Sequence, residues 1–419
     1  MPCLTSGREL VAIKETGARR DRTNLSGSGD RSGRRRSKRR RSKRRRSRLR
    51  IRRVSMVILL GFVLAVGWSI AGALHAPGSD STAARLAEWG RGHGLGFAVT
   101  WLEDAQYSAN PPVVGGSPPG GIPRAAWTPP HRVRTSSSPR PRRIGHVPAP
   151  LAPQLQPALP GEGQWQTLKS VRGRPAIRAA FLRPDSQHTS YLVGIAQMDQ
   201  SLVRLVLHPG LSQPGGTGWS QQSQIPANGK DRLLATFNSG FRLADARGGY
   251  WQTGKQLGQL RNGAASLVVL ANGRVDIQRW THGSAVPRGI YAVRQNLDLL
   301  VDGGTISSTI YSSNTRTWGR TVGNAAYVWR SGLGIRADGS LVSVVGPALS
   351  VASLAHLLHA AGAVRAMELD INKDWTSYLT YTHSAAGALV PHPLTNDEHP
   401  DPYRYLRPSS RDFLAVYAR

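Results

Sequence analysis

Val54 to Ala76 is an apolar run without one acidic residue, lysine or arginine. A run of this length, roughly 20 residues, matches the hydrocarbon core of a bilayer. A basic block precedes it directly. Residues 1–53 hold 21 Lys and Arg against 4 Asp and Glu, so +17 of the chain's net +31 sits there. Positive charge beside a span holds that side in the cytoplasm. The pattern therefore predicts a disordered basic cytoplasmic tail over 1–53, a transmembrane helix over 54–76, and everything later outside the cytoplasm. The span reads as a signal-anchor, or as a cleaved signal peptide ending at Ala71-Gly72-Ala73 or Leu74-His75-Ala76. The long charged leader favours the anchor. The chain is thus expected to be a single-pass protein of the cell membrane, with the membrane as a partner. The same topology accounts for the basic block better than nucleic-acid binding does.

Residues 77–162 separate the span from the folded part. Thr82 to Tyr107 contains two short amphipathic helical pieces, whose Trp89 and Trp101 suit either a membrane interface or packing on a domain. From Pro111 to Pro160 the chain is rich in Pro, Gly, Ser and Arg without periodicity, a spacer composition. The single cysteine, Cys3, lies in the tail. That excludes an intramolecular disulfide and a multi-thiol metal site.

The folded domain is expected over 163–419. Short apolar runs alternate with turn chemistry: Ala179–Arg183, Tyr191–Gln197, Leu202–Leu207 and Leu233–Phe237 are separated by Pro184-Asp185, His208-Pro209-Gly210 and Pro214-Gly215-Gly216. Asn272-Gly273 and Asp338-Gly339 each sit between two strands, a strong hairpin signal. One long helix is predicted, Val351 to Ala361, with Ser350 as N-cap and Gly362 just past its end. Phe413–Tyr417 closes the chain as a strand. The fold class is α+β: a strand-rich mixed-sheet domain with one main helix, behind a single span and a disordered linker.

No zinc spacing, phosphate loop or nucleophile elbow is present, and nothing in the sequence names a cofactor. His356 and His359 share the helix at i, i+3, but without an acidic partner there they read as packing or surface residues. Two other segments carry chemistry. In Phe237-Asn238-Ser239-Gly240-Phe241 a strand runs into Asn and Gly, where a ligand can approach backbone N–H groups; a plain turn is the equal alternative. In Ala366-Met367-Glu368-Leu369-Asp370 two carboxylates stand two apart on a strand, so they share a face. Neighbouring carboxylates split their pKa values into acid and base roles. A solvated face, or an ion pair to Arg330 or Lys373, is the simpler reading of the same residues.

The order of these elements resembles the phosphodiester glycosidase domain family over roughly residues 165–419. The resemblance rests on Phe237–Phe241, the Asn272-Gly273 hairpin, Leu299–Gly303, Arg330–Ile335 with Asp338-Gly339, the helix, Gly362-Ala363 and Glu368–Asp370. The basic tail and single span look like those of membrane-anchored actinobacterial members. What it implies is hydrolysis of a sugar-1-phosphodiester. Asp370 matches the family's catalytic Asp, with Glu368 beside it. Asn238 and Gly240 match its Asn-Gly-Gly-Phe element, and Arg330 an arginine suited to hold phosphate. The sequence departs from the pattern after Asp370. The family continues with glycines and Ser, whereas Ile371-Asn372-Lys373-Asp374-Trp375-Thr376-Ser377 stands here. Lys373 then replaces N–H donors with a cation. Val301-Asp302-Gly303-Gly304 mimics the catalytic loop but belongs to an earlier hairpin. The implied partner is a glycosyl phosphodiester or a cell-wall polysaccharide of the envelope. The alternative is a catalytically inactive relative that binds anionic wall polymer.

Overall fold

The computed structural model describes residues 31–76, 78, 80–124, 148–312, 317–318, 326–398 and 401–419. Two compact units divide it, Met1–Ser69 and Ile70–Arg419. Helix α1 spans Arg31–Leu74, and its Arg50–Leu74 part is long and apolar enough to cross a membrane. The helix therefore includes residues 31–53, where disorder was expected. Arg and Lys are good helix formers, and the helix of the apolar run continues back through them. Residues 1–30 lie outside the described residues, as do 125–147 of the expected linker and His399.

Helices α2 (Thr82–Gly92) and α3 (Gly96–Ala109) are the two predicted amphipathic pieces, and α4 (Leu243–Ala246) is a single turn after the strand Leu233–Asn238. Ser81 caps α2 by accepting from Ala84 N at 3.1 Å. The expected spacer is partly bound to the domain. Gly115 N donates to Gln187 O at 2.7 Å, and Leu151 N to Gly163 O at 2.9 Å. Proline-rich chain has few helical or sheet bonds to offer, so its free backbone groups pair with domain loops instead.

Three sheets follow. The largest has the order β1 (Gln166–Val171), β2 (Arg174–Leu182), β3 (Val193–Met198), β14 (Leu341–Leu349), β13 (Val328–Arg336), β15 (Ala363–Glu368), β11 (Leu299–Asp302), β12 (Thr305–Ile306). A second runs β7 (Lys255–Leu257), β6 (Tyr250–Gln252), β10 (Ile290–Gln295), β8 (Ala265–Leu270), β9 (Val275–Arg279). The third runs β17 (Leu389–Pro393), β16 (Tyr378–His383), β5 (Leu233–Asn238), β18 (Phe413–Ala418), β4 (Val203–His208). The sheet expected to be mixed is antiparallel in all its named pairs; parallel pairing is confined to the isolated bridges Gly210–Pro214 and Gln213–Arg411. The crossover β14–helix–β15 places β13 between two strands that run the same way.

That crossover helix, α5 (Val351–Ala360), is capped by Ser350, whose Oγ accepts from Ser353 N at 3.0 Å. Gly362 follows with φ +89°, a left-handed stop that other residues resist. Leu354, Leu357 and Leu358 bury one face of α5 on the large sheet, while His356 and His359 face outward, as their reading as surface residues required. Gly332 of β13 lets α5 approach: a Cβ there would lie 2.9 Å from Leu358 Cδ1. The opposite face of this sheet joins the other two sheets in one core around Phe237, Leu333, Met367 and Leu414. Leu358→Ala removes a wholly buried side chain and is expected to cost about 2–5 kcal/mol, read as a lowered unfolding midpoint.

Candidate active site

The site lies where the three sheets meet. Arg330 and Ser331 come from β13, Glu368 ends β15, Asn238 ends β5, Arg294 and Gln295 end β10, with Asn296 next, and Arg411 and Asp412 immediately precede β18. Asp370 stands just past β15, in the loop that leads to β16. Neutral hydrogen bonds fix that loop. Asn238 Nδ2 donates to Ser331 Oγ at 2.9 Å, and Asn238 Oδ1 accepts from Ser377 N at 3.0 Å. Ser331 N donates to Asp370 O at 2.8 Å, and Asp370 N donates back to Ser331 Oγ at 3.2 Å. Asn296 Nδ2 donates to Glu368 O at 2.7 Å and Leu369 O at 3.0 Å.

The two expected carboxylates have different settings. Glu368 is fully buried, and its Oε1 accepts from Arg330 Nη1 at 2.5 Å, while its Oε2 has no hydrogen-bond partner. Burial pushes its pKa up, against the pull of Arg330. Arg330 also donates through Nε to Leu349 O at 2.8 Å, so its guanidinium is spent on the protein. Asp370 is 4% exposed. Burial lifts its carboxyl to about 7; the charge of Arg411 and the N–H groups of Asn372 and Ile371 pull the other way, and Glu368 adds to the rise. Its Oδ1 accepts from Ile371 N at 2.7 Å and Asn372 N at 3.1 Å. A carboxyl titrating near neutrality is suited to general acid–base work. Glu398 is also raised, to about 8, by burial, but it is tied to the backbone N–H groups of Tyr378, Leu394 and Thr395.

The loop after Asp370 uses its own N–H groups. Asn372 Oδ1 accepts from Asp374 N at 2.9 Å, and Asn372 O accepts from Trp375 N and Thr376 N, both at 2.9 Å. Trp375 is buried with the Arg411 guanidinium 4.4 Å from its ring centre. Lys373 is exposed on this loop. Gly240 packs against Arg294: a Cβ there would lie 3.3 Å from the guanidinium carbon and 3.4 Å from Asn296 Cγ. Arg294 in turn donates through Nε to Asp412 Oδ2 at 2.6 Å, and through Nη2 to Phe241 O.

Of the residues singled out in the sequence, the fold brings Asn238, Gly240, Arg330, Glu368 and Asp370 together and places Lys373 on the same loop. Sequence reasoning missed Arg294, Asn296, Ser331, Arg411 and Asp412. Polar residues abutting a strand end, as in Arg294-Gln295-Asn296 and Arg411-Asp412-Phe413, were the available signal. Among the described residues no three His, Cys, Asp or Glu side chains are grouped to hold a metal.

These features define an α+β domain of antiparallel sheets whose meeting point holds the buried carboxyls Glu368, Asp370 and Asp412 and the buried arginines Arg294, Arg330 and Arg411. Residues 230–392 match the model of the phosphodiester glycosidase family. No curated protein matches the chain. Among solved structures it is similar to the zebrafish N-acetylglucosamine-1-phosphodiester alpha-N-acetylglucosaminidase catalytic domain, auto-inhibited by its pro-peptide, with 16% identity and a TM-score of 0.38 over 61% of this chain and 88% of that one. It is also similar to a hypothetical protein from Synechocystis, with 14% identity and a TM-score of 0.32 over 60% of this chain and 64% of that one.

Arg330→Met strands the Glu368 carboxylate in the core and is expected to cost about 3–5 kcal/mol. The double variant Arg330→Met, Glu368→Gln is expected to recover most of the loss. Unfolding midpoints of both proteins check this; equal losses would contradict a paired role.

Proposed function

We propose that this chain is a membrane-anchored, extracytoplasmic hydrolase of glycosyl phosphodiesters in cell-envelope polysaccharide, with Asp370 at the reacting centre. The observation that carries the reading is Asp370 itself: a buried carboxyl titrating near 7, inside the matched family region and beside Arg411. The Arg50–Leu74 helix, long and apolar enough to cross a membrane and set behind a basic block, supports the anchor and its orientation.

The chemistry follows from the leaving group. A phosphate monoester has a second pKa near 6, so it departs without help from an acid. What the reaction needs is an activated water. Asp370, ionised, takes a proton from water as the water oxygen bonds to the anomeric carbon. The bond from that carbon to the phosphate oxygen breaks, and its electron pair leaves with the phosphate. Burial keeps the Asp370 carboxyl high and reactive, and the Glu368 charge adds a little to that rise. Arg330 balances the charge of Glu368. Asn238 holds the loop, Gly240 gives Arg294 room, and Lys373 offers an exposed contact for the polymer's phosphates.

The full chain in detergent should release sugar from a sugar-1-phosphodiester, with kcat rising with pH through about 7 as Asp370 ionises. Asp370→Asn should lower kcat about 10²–10⁴-fold and leave KM near its original value. No turnover on any such substrate, or turnover unchanged in the variant, would sink the catalytic reading. The non-catalytic reading has its own support, since Glu368 and Arg330 are consumed by each other. It expects wall-polymer binding that survives Asp370→Asn and weakens with salt.

A further inference from the structure

Arg330 and Arg294 each have a buried carboxylate partner, Glu368 and Asp412. Arg411 does not follow that pattern. Its guanidinium lies on the Trp375 ring, 8% exposed, and its Nη1 is buried without a hydrogen-bond partner. Among the described residues its ion-pair partner comes from far away in sequence: Glu88 of α2, whose Oε1 accepts from Arg411 Nη2 at 2.7 Å. The other oxygen of Glu88 lies 3.5 Å from Arg242 Nε, a second buried nitrogen that makes no hydrogen bond. One half-exposed carboxylate thus faces two guanidinium groups with unused donors. The fourth charge nearby, Arg91, lies 3.8 Å from Glu88 but is taken up by Glu103.

Resting on the proposed function above, we infer that Arg411 and Arg242 form the seat for the substrate's phosphate, and that Glu88 is its internal occupant. Guanidinium forks suit phosphate oxygens and bind them bidentately. Two cations against one carboxylate leave room for an anion with more oxygens than Glu88 supplies. The seat adjoins the loop that begins at Asp370, because the Arg411 guanidinium lies 4.4 Å from the ring centre of Trp375 in that loop. The N–H groups of Ile371, Asn372, Asp374, Trp375 and Thr376 are bonded within the loop and not offered to a phosphate, so the cations take over that task. The Trp375 that replaces the family's glycines is the surface that holds Arg411 in place. A phosphate entering the seat displaces Glu88, and with it α2, so binding competes with the segment joining the span to the domain.

The test measures inorganic phosphate binding to the full chain in detergent by calorimetry, with Glu88→Gln, Arg242→Gln and the double variant. Glu88→Gln is expected to bind phosphate at least tenfold more tightly than the parent, and adding Arg242→Gln is expected to reverse most of that gain. Both residues are part-exposed, so folding survives, and matched circular dichroism spectra check it. Equal phosphate affinity in the parent and Glu88→Gln overturns the seat. The two readings fail separately. Tight phosphate binding by Glu88→Gln without turnover of any sugar-1-phosphodiester upholds the seat and removes the hydrolase. Turnover with no effect of Glu88 on either phosphate affinity or KM removes the seat and leaves the hydrolase.

Discussion

The hydrogen-bonded seam of Asn238, Ser331 and Asp370 is the constraint on which the site depends. Ser331 belongs to the large sheet and Asn238 to the sheet beside it, so their contact joins two sheets. The same pair holds the loop 369–377 at both ends, through Asp370 and Ser377. Each such bond is worth only about 1 kcal/mol net. Their effect is geometric: buried donors and acceptors accept few alternative arrangements, so Asp370 stays where the sheets meet. Its raised pKa is a result of that burial and not of a special partner.

Around this seam the arginines divide by the partner each holds. Arg330 and Arg294 are paired with carboxylates that are themselves fully buried, and both ion pairs serve the fold. Such pairs add little net stability but are costly to break, so they fix the strand ends that carry the site. Arg411 is held by a stacked Trp375 and by a carboxylate on a helix outside the sheets. A partner of that kind can leave. That difference in partners is what sets the proposed phosphate seat apart from the two scaffold pairs.

Much of this was legible in the sequence. The apolar run, the Asn272-Gly273 and Asp338-Gly339 hairpins, α5 with its Ser350 cap, and the two carboxylates all appear where local patterning put them, because each depends on neighbours in sequence. Boundaries moved where tertiary pairing decided them: the closing strand, expected over Phe413–Tyr417, runs on to Ala418 because Val203 of β4 pairs with it. What could not be read was whether Arg330 would face a ligand or Glu368, since both strands had to be paired before the diagonal contact existed. Arg411 was invisible for the same reason, because Glu88 and Trp375 reach it only through the fold. The Trp375 loop looked in sequence like a loss of the glycine-rich backbone; in space it is a different way to place a cation.

Water labelled with heavy oxygen gives the most direct measurement of the central claim. Hydrolysis of a sugar-1-phosphodiester by the full chain in labelled water, followed by mass analysis of both products, locates the bond that breaks. Label in the hydroxyl of the anomeric carbon, with none in the phosphate monoester, is the result expected if Asp370 activates water against the sugar. Label in the phosphate, or no hydrolysis at all, would contradict it.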